Sequence, residues 1–388
     1  MCRYLIISLI SLVLLNCKDI KSESKELQNI NKGIVLLSPP INTNSKNVEI
    51  VFCLDATGSM SGLIGTAKEK IWDIVSELSQ STDVDTLQMG MIFYRDRGDQ
   101  FITKQISLTT DLDAVYSELL EMQANGGGDS PESVNQALNE AVSKMKWSSN
   151  ENTYRTIFVV GDCPPHMDYQ DDVHYTESCK KAVEKKILIN TIKLGMGCSD
   201  AVPHFEKMAN CSNGEFLQLD QNATDYVIET PYDESINKVS REIDDSRLYY
   251  GNEEEQKLNY AKKVKSMEVY DKGTSTANSA RAAYKSSKSG EKSWMGTKEI
   301  VKDFENGKVR LTDIKEEELP TSLKGKTVKE KESILNELLT KRSNGILKLK
   351  ELTAKRKFFI EQKSKEKSNK DSLPFSKEVI KIMKKQSN

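Results

Sequence analysis

Apolar runs of strand length alternate with amphipathic stretches of helix length through the middle of the chain. Residues 48–54 form a β-branched, apolar run, and residues 63–78 follow it with apolar positions at helical spacing. The same alternation predicts further strands at 87–94, 101–108, 156–160, 187–194 and 215–219, and further helices at 112–122, 131–145, 175–186, 203–209 and 226–247. Strands that alternate with helices in this way form a mostly parallel sheet between helical layers.

One pair of strands breaks the alternation. Residues 87–94 and 101–108 are separated by too few residues for a helical crossover, so we expect them to form an antiparallel hairpin. The second strand of the pair alternates polar and apolar residues, which suits the edge of a sheet. The predicted fold class is therefore α/β, a doubly wound and Rossmann-like sheet with one antiparallel edge strand. Ligands of such sheets bind at the carboxyl ends of the strands.

Oxygen-bearing side chains follow three of the predicted strands. The candidate metal ligands are Asp55, Thr57 and Ser59 after the first strand, Asp129 in the glycine-rich loop 126–132, and Asp162 after the strand at 156–160. Gly58 permits a tight turn at the first of these positions. Hard oxygen donors from separate loops suit Mg²⁺, Mn²⁺ or Ca²⁺ rather than zinc. The sequence therefore predicts a divalent-cation site at the carboxyl edge of the sheet.

The pattern Asp55-x-Thr57-x-Ser59, with Asp162 as a later acid, resembles the metal-ion-dependent adhesion site (MIDAS) of bacterial von Willebrand factor A (VWA) domain proteins. The resemblance covers about residues 47–245. It implies that Thr57 and Ser59 bind the ion through their hydroxyls and that Asp55 and Asp162 hold it largely through water. Mg²⁺ is the expected ion, with Mn²⁺ or Ca²⁺ as alternatives. The resemblance also implies a protein partner, whose acidic side chain completes the coordination.

The glycine-rich loop departs from the common form of this family. Thr is common there after two glycines, whereas this chain has Gly128-Asp129-Ser130. Direct binding by Asp129 would add a third carboxylate and weaken the attraction of the ion for an outside acid. Ser130 is the alternative ligand in this loop.

Two further patterns have rival interpretations. Asp55-x-x-Gly58 resembles the turn of phosphatases that use an aspartyl nucleophile, but their companion acid and Lys are absent in order, so we predict no enzyme. A second group suits a small transition-metal site by composition, although a solvated loop is the favoured interpretation. That group is His166, Asp171, Asp172 and His174.

The first 46 residues have the character of a targeting segment. Arg3 precedes an apolar run at 5–15, which is shorter than the ~20 residues of a membrane-spanning helix but fits a secretory signal. Leu14-Leu15-Asn16-Cys17 resembles a bacterial lipobox, with Asn16 where a smaller residue is usual. We predict a lipoprotein signal peptide at 1–17 with lipidation at Cys17, and an ordinary cleaved signal is the alternative. Residues 18–46 are polar and predict a flexible tether.

The chain after the α/β domain, which we place at 47–247, changes in character. Residues 248–292 are rich in Ser, Lys, Gly and Asn and predict a polar linker with one helix at about 256–269. Residues 293–388 predict a helical C-terminal extension, because apolar residues from Leu335 to Phe359 recur three or four apart. We expect this stripe to pack on 375–383 or on the helix at 226–247, rather than in a coiled coil with another chain.

The net charge limits the classes of possible partner, and the number of cysteines limits the possible disulfides. Lys+Arg 56 against Asp+Glu 58 gives a net charge of −2, so we predict no nucleic-acid partner. Five cysteines follow Cys17, so at least one is free if all others pair, and Cys53 in an apolar run is the expected buried thiol. The pairings Cys198–Cys211 and Cys163–Cys179 are candidates, but the sequence alone leaves connectivity open.

These patterns together predict an exported lipoprotein held by its lipid anchor in the bacterial cell envelope, at the outer membrane or the cell surface. Its VWA-like domain would bind a divalent cation and mediate protein–protein binding or adhesion. The alternative is a periplasmic or surface assembly or scaffold factor that works through the helical extension, with a structural or vestigial metal site.

Overall fold

The structure is a computed structural model, and it describes residues 47–81, 84–221, 225, 227–367 and 374–387. The predicted signal peptide at 1–17, with Cys17, and the predicted tether at 18–46 lie outside the described residues. Among the helices of the described residues, none combines the length and apolarity that a membrane span requires.

A six-stranded sheet forms the centre of the molecule. Its strands are β1 Asn47–Asp55, β2 Thr86–Tyr94, β3 Thr103–Thr109, β4 Thr153–Gly161, β5 Leu188–Leu194 and β6 Phe216–Leu219. The strand order is β3-β2-β1-β4-β5-β6, and β3 alone runs antiparallel to its neighbour. The predicted fold class is therefore confirmed, with the antiparallel strand at the edge.

Helices cover both faces of the sheet. The first face carries α1 Ser61–Ser81 and α2 Leu112–Glu121, and the second carries α3 Val134–Ser143, α4 Tyr175–Glu184 and α5 Ala201–Asn210. Successive residues of β1 point to opposite faces, so Phe52 joins the first core and Cys53 the second. Burial on both faces explains why this strand is apolar throughout.

The helical part of the chain follows the sheet. Its helices are α6 Asp233–Asp245, α7 Glu253–Lys272, α8 Ser275–Lys285, α9 Lys288–Trp294, α10 Ile300–Glu305, α11 Val328–Lys367 and α12 Phe375–Ser387. The helix predicted at about 256–269 is present as α7, but the structure differs from the predicted polar linker at 248–292 because α8 and α9 occupy most of the remainder. Ala277 and Ala280 of α8 are buried in the same core as α1. The small side chains let α1 and α8 approach closely. Because the segment is polar, its hydrophobic pattern did not predict this contact.

The last helix returns to the sheet. Val379 and Met383 of α12 are buried in the core of the first face. The side chain of Gln386 accepts a hydrogen bond from the Tyr154 hydroxyl at 2.7 Å and donates one to Asn190 Oδ1 at 2.7 Å. Tyr154 lies on β4 and Asn190 on β5, so the C-terminal end of the chain completes the helical layer over these two strands.

The long helix α11 packs against α6, as its apolar stripe predicts. Gly345 lies at this contact, because a Cβ there would stand 3.1 Å from Ile243 Cγ1. Arg342 interrupts the apolar stripe of α11 because it forms an ion pair rather than an apolar contact. Its guanidinium donates to both carboxylate oxygens of Glu299, at 2.9 Å each, in a buried pair. Helix α11 is therefore held by apolar packing on α6 and by a buried ion pair with the residue that precedes α10.

Two disulfides tie the loops of the second face. They join Cys163 to Cys198 and Cys179 to Cys211, and Cys53 is free and buried. Both candidate pairings from the sequence were wrong. Cys163 follows β4 and Cys198 follows β5, and parallel neighbours bring these strand ends together although 35 residues separate the two cysteines. Disulfides of this kind are typical of exported and extracellular proteins.

A buried ion-pair network joins the helical part to the sheet domain. Asp113 of α2 accepts two hydrogen bonds from the Arg281 guanidinium of α8, at 2.6 Å each. Lys285, one helical turn further along α8, donates to Asp244 of α6 at 2.5 Å. All four side chains are buried. The charges of Arg281 and Lys285 hold the pKa of the Asp113 carboxyl well below its usual range, against the opposing effect of burial.

We expect Asp113→Ala to lower the free energy of unfolding by about 3–5 kcal/mol, because it leaves two buried cations short of a partner. Urea unfolding of the full chain followed by circular dichroism measures this loss. Asp271→Ala is the matched control, because Asp271 pairs with Arg241 at 2.7 Å on the surface. Its loss should stay below about 1 kcal/mol. Equal losses in the two variants would contradict a structural role for the buried network.

Candidate metal centre

The end of β1 holds a buried carboxylate in a fixed turn. Asp55 Oδ1 accepts hydrogen bonds from the Thr57 main-chain nitrogen at 2.8 Å and from Thr57 Oγ1 at 2.6 Å. Thr57 Oγ1 and Ser59 Oγ lie 3.3 Å apart. Asp55 and Thr57 are buried, whereas Ser59 is exposed. Asp55 Oδ2 is buried and has no hydrogen-bond partner among the described residues.

The end of β4 brings a second carboxylate beside the first. Leu54 of β1 pairs with Val160 of β4, so Asp55 and Asp162 follow neighbouring strand ends. Gly161 makes the approach close, because a Cβ there would stand 3.2 Å from Asp55 Oδ2. Gln221 Nε2 donates to Asp162 Oδ2 at 3.0 Å. Asp162 Oδ1 is buried and, within the described ranges, without a partner.

The glycine-rich loop closes over the turn at the end of β1. The Gly58 nitrogen donates to the Gly126 carbonyl at 3.1 Å, and the Asn125 nitrogen donates to the Ala56 carbonyl at 3.0 Å. Gly127 has a φ of +87°, and a Cβ on it would stand 3.4 Å from Thr57 Cβ. That position is also 3.8 Å from Glu132 Oε1. Thr57 and the Glu132 carboxylate thus both approach Gly127.

The structure therefore brings together four of the five predicted metal ligands, Asp55, Thr57, Ser59 and Asp162. Asp129 stands apart, with its side chain 64% exposed and Oδ1 4.0 Å from His166 Nε2. Glu132, which the sequence interpretation passed over, is buried, and its Oε2 has no partner in the described part of the chain. Its sequence signal is weak, because it precedes α3 and belongs to no periodic pattern. Its position in the glycine-rich loop is the signal that could have identified it as a candidate ligand.

Burial and the neighbouring carboxylates make ionisation of the acids at this site unfavourable. Burial raises the pKa of Asp55 to about 7; its hydrogen bonds with Thr57 oppose the rise and the nearby charge of Asp162 adds to it. Burial also raises the pKa of Glu132 to about 9, together with the charges of Asp55, Asp96, Asp162 and Asp99. The carboxylates would all ionise readily only if a positive charge joined them.

Two buried cationic side chains near the site donate hydrogen bonds to main-chain carbonyls. Arg95 donates from Nε to the Ala56 carbonyl at 3.0 Å and from Nη2 to the Gln123 carbonyl at 2.8 Å. Lys193 donates to main-chain carbonyls of the loop after β5, including that of Gly195 at 2.8 Å. Arg95 and Lys193 therefore stabilise the loops around the site through these hydrogen bonds. The orphaned oxygens of Asp55, Glu132 and Asp162 therefore fit a hard divalent cation, which oxygen ligands favour.

A second acidic group lies beside the first. Asp96, Asp129 and His166 each offer one ligand atom, and these atoms lie within 4.8 Å of one another. The rest of the histidine group suggested by composition does not join them. Asp171 forms an exposed ion pair with Arg97 at 2.9 Å, and His174 precedes α4. His166 itself is buried rather than part of a solvated loop.

Comparison with known proteins finds a family model that is similar to part of this chain. Residues 49–231 match the family model of the von Willebrand factor A domain. A putative ariadne-like RING finger protein of Acanthamoeba polyphaga mimivirus is 28% identical over 123 residues, which is 32% of this chain and 12% of that protein. An alpha-protein kinase of Dictyostelium discoideum is 28% identical over 149 residues, 38% of this chain and 23% of that protein. The chain thus spans less than a quarter of the length of either relative.

Among solved structures, proximal thread matrix protein 1 from the mussel byssus is similar over 47% of this chain and 44% of its own, with 10% identity and a TM-score of 0.35.

We expect the metal-free chain to lose stability as the pH rises. Unfolded carboxyls titrate near pH ~4, whereas folded Asp55 and Glu132 keep their protons to about pH 7 and about pH 9. The folded state therefore binds more protons than the unfolded state over this window. The resulting stabilisation is complete below about pH 4 and is lost as the pH rises through the two folded pKa values. Urea unfolding in EDTA between pH 5 and pH 9 measures the loss.

Divalent cation in excess should flatten this pH dependence, because the ion takes the place of the protons. The control is an Asp55→Asn, Glu132→Gln double variant, whose neutral side chains should remove most of the dependence in EDTA. A double variant that keeps the wild-type slope would show that other groups cause it.

Proposed function

We propose that this chain, which contains a von Willebrand factor A domain over residues 49–231, binds a divalent cation through that domain and uses it to capture a protein partner. The observation that carries the proposal is the convergence of three buried carboxylates, each with one oxygen left without a hydrogen bond. Those oxygens are Asp55 Oδ2, Glu132 Oε2 and Asp162 Oδ1. A buried polar atom without a partner is costly, and a cation would relieve all three at once.

The residues divide into ligands and supports. Thr57 and Ser59 supply hydroxyls, and Asp55 orients Thr57 through two hydrogen bonds. Of the two acids in the glycine-rich loop, Glu132 is buried with one oxygen unpartnered and Asp129 is exposed, so we propose Glu132 rather than Asp129 as the loop carboxylate at this ion. Gln221 holds Asp162 by one hydrogen bond. Mg²⁺ is the proposed ion, with Mn²⁺ and Ca²⁺ as alternatives. When bound, the ion supplies a localised positive charge at the protein surface.

The proposed partner is a protein with an exposed acidic side chain. Ser59 and residues 126–130 are exposed around the buried carboxylates, so the mouth of the site is open. An outside carboxylate can complete the coordination of a cation that is held partly by neutral hydroxyls. VWA domains are generally non-catalytic, and the proposal includes no enzymatic step.

We propose that the chain works as a lipoprotein of the bacterial cell envelope, at the outer membrane or the cell surface. The two disulfides support export, and the lipobox-like sequence at Cys17 supports lipidation. Labelling of cells with a radioactive fatty acid tests the anchor. The Cys17→Ser chain should carry no label, and a chain that stays labelled would contradict lipidation at Cys17.

A second candidate function rests on the helical extension. Leu347 and Phe358 of α11 and Leu258 of α7 are more than half exposed, at 67%, 63% and 61%. Exposed apolar side chains of this size favour a contact with another macromolecule. An assembly or scaffold factor would use this surface and need the metal site for structure alone. Its binding would then survive EDTA and fail when Phe358 is replaced by Ser.

The metal proposal predicts a thermal shift. Mg²⁺, Mn²⁺ or Ca²⁺ at about 100 times its dissociation constant should stabilise the full chain by about 2.7 kcal/mol relative to EDTA, because the ion binds only the folded state. Asp55→Ala should abolish the shift, and Glu132→Gln should weaken it. Differential scanning calorimetry in EDTA and in each ion measures both effects.

Asp171→Ala is the matched control for this experiment. It removes an exposed carboxylate outside the site, so its shift should equal that of the wild type. Absence of any shift in the wild-type chain, or an undiminished shift in Asp55→Ala, would overturn the proposed ligand set. Partners recovered from the cell envelope should be lost in EDTA and in Asp55→Ala if capture depends on the ion.

A further inference from the structure

We propose that Asp96, Asp129 and His166 form a second metal site, for a transition-metal ion of the zinc class, beside the cation site at Asp55. The two sites share the glycine-rich loop, which carries Asp129 at one point and Glu132 at another. They differ in their ligands, because the second includes an imidazole nitrogen. Imidazole suits zinc and related ions, whereas Mg²⁺ prefers oxygen alone.

The spacing of the three ligand atoms fits a tetrahedral ion. His166 Nε2 lies 3.3 Å from Asp96 Oδ2 and 4.0 Å from Asp129 Oδ1. Zinc bonds of about 2.0–2.1 Å in tetrahedral geometry separate neighbouring ligand atoms by roughly 3.3 Å. The Asp96 pair already has this spacing. A small movement of the exposed Asp129 side chain brings the third ligand to it.

The imidazole of His166 is buried and aimed at this point. Its side chain is 4% exposed, and Nε2 has no hydrogen-bond partner among the residues that the structure describes. The other ring nitrogen, Nδ1, lies 2.8 Å from Asp168 Oδ1. A carboxylate that holds one nitrogen of a histidine fixes the tautomer that presents the other nitrogen to a metal. His166 therefore has both halves of the arrangement that metal-binding histidines share.

Neighbouring side chains hold the ligands in place. The Tyr169 ring stacks on the His166 ring with centroids 3.9 Å apart and an angle of 11°. The Tyr169 hydroxyl donates to Asp96 Oδ2 at 3.1 Å, and Ser133 Oγ donates to Asp96 Oδ1 at 3.0 Å. Asp96 is itself buried. Two of the three ligands are thus oriented before an ion arrives.

Three protein ligands leave one tetrahedral position open. Asp129 is exposed, as is the rest of the glycine-rich loop from residue 126 to 130 at the mouth of the first site. The open position would take a water molecule or an atom of a bound partner. The competing arrangement is a direct contact of His166 Nε2 with Asp96 Oδ2 that needs no metal, and the experiment separates the two.

The test is titration of the full chain with Zn²⁺ by isothermal calorimetry, in millimolar Mg²⁺ so that the first site is filled. We expect one equivalent of Zn²⁺ to bind. Co²⁺ in place of Zn²⁺ should give the visible absorption of a four-coordinate ion. His166→Gln should weaken Zn²⁺ binding at least 100-fold. Asp168→Asn should weaken it by about 10–100-fold, because only the support of the ligand is changed.

Matched controls are available within the chain. His174→Gln and His204→Gln replace the other two histidines of the sequence and should leave the affinity unchanged. Asp55→Ala should also leave Zn²⁺ binding unchanged, which separates this proposal from the cation site. Circular dichroism shows whether each variant is folded, and Asp168→Asn keeps the test decisive if His166→Gln fails to fold. Failure of the wild type to bind Zn²⁺, or equal affinity in the wild type, His166→Gln and Asp168→Asn, would overturn the proposal.

Discussion

The parallel pairing of β1 with β4 is the constraint on which the rest of the site depends. It brings Asp55 and Asp162 to one edge of the sheet although more than 100 residues separate them in the chain. Burial of both strands then removes water from the carboxylates. The carboxyl groups of Asp55 and Asp162 therefore lie together at the carboxyl ends of the two central strands. The hydroxyls of the turn after β1 and the glycine-rich loop lie around them.

The helical extension depends on a different use of charge. Its contacts with the sheet domain include the buried pair of Asp113 with Arg281 as well as apolar side chains, and a second buried pair, Glu299 with Arg342, joins two segments within the extension. Such pairs gain little over apolar packing, but they penalise any misplaced arrangement, because an unpaired buried charge is costly. The extension is thereby held in one orientation. At the carboxyl edge of the sheet, by contrast, carboxyl oxygens of Asp55, Glu132 and Asp162 have no partner among the described residues, and this contrast distinguishes the structural network from the candidate metal site.

Sequence patterns predicted those features that follow directly from period and order. Strands and helices of the sheet domain appear in the alternation of apolar residues, and Asp55 and Asp162 could be assigned because each follows a strand. Glu132 and both disulfides could not, since they depend on which loops meet in space. Of the helices of 248–292, α7 was predicted at about 256–269, but α8 and α9 were missed for a related reason. Their buried face holds Ala and paired charges, so hydrophobicity gave no signal.

The return of α12 to the sheet has a consequence for the order of events during synthesis. This helix is the 13-residue segment Phe375–Ser387, and it completes a core whose first strand begins at residue 47. This core is complete only once α12 has been synthesised and has packed against the sheet domain. Contacts between such distant segments also form slowly, because a long loop must close first. Until α12 docks, a nascent chain therefore exposes the apolar side chains of the first-face core that this helix covers.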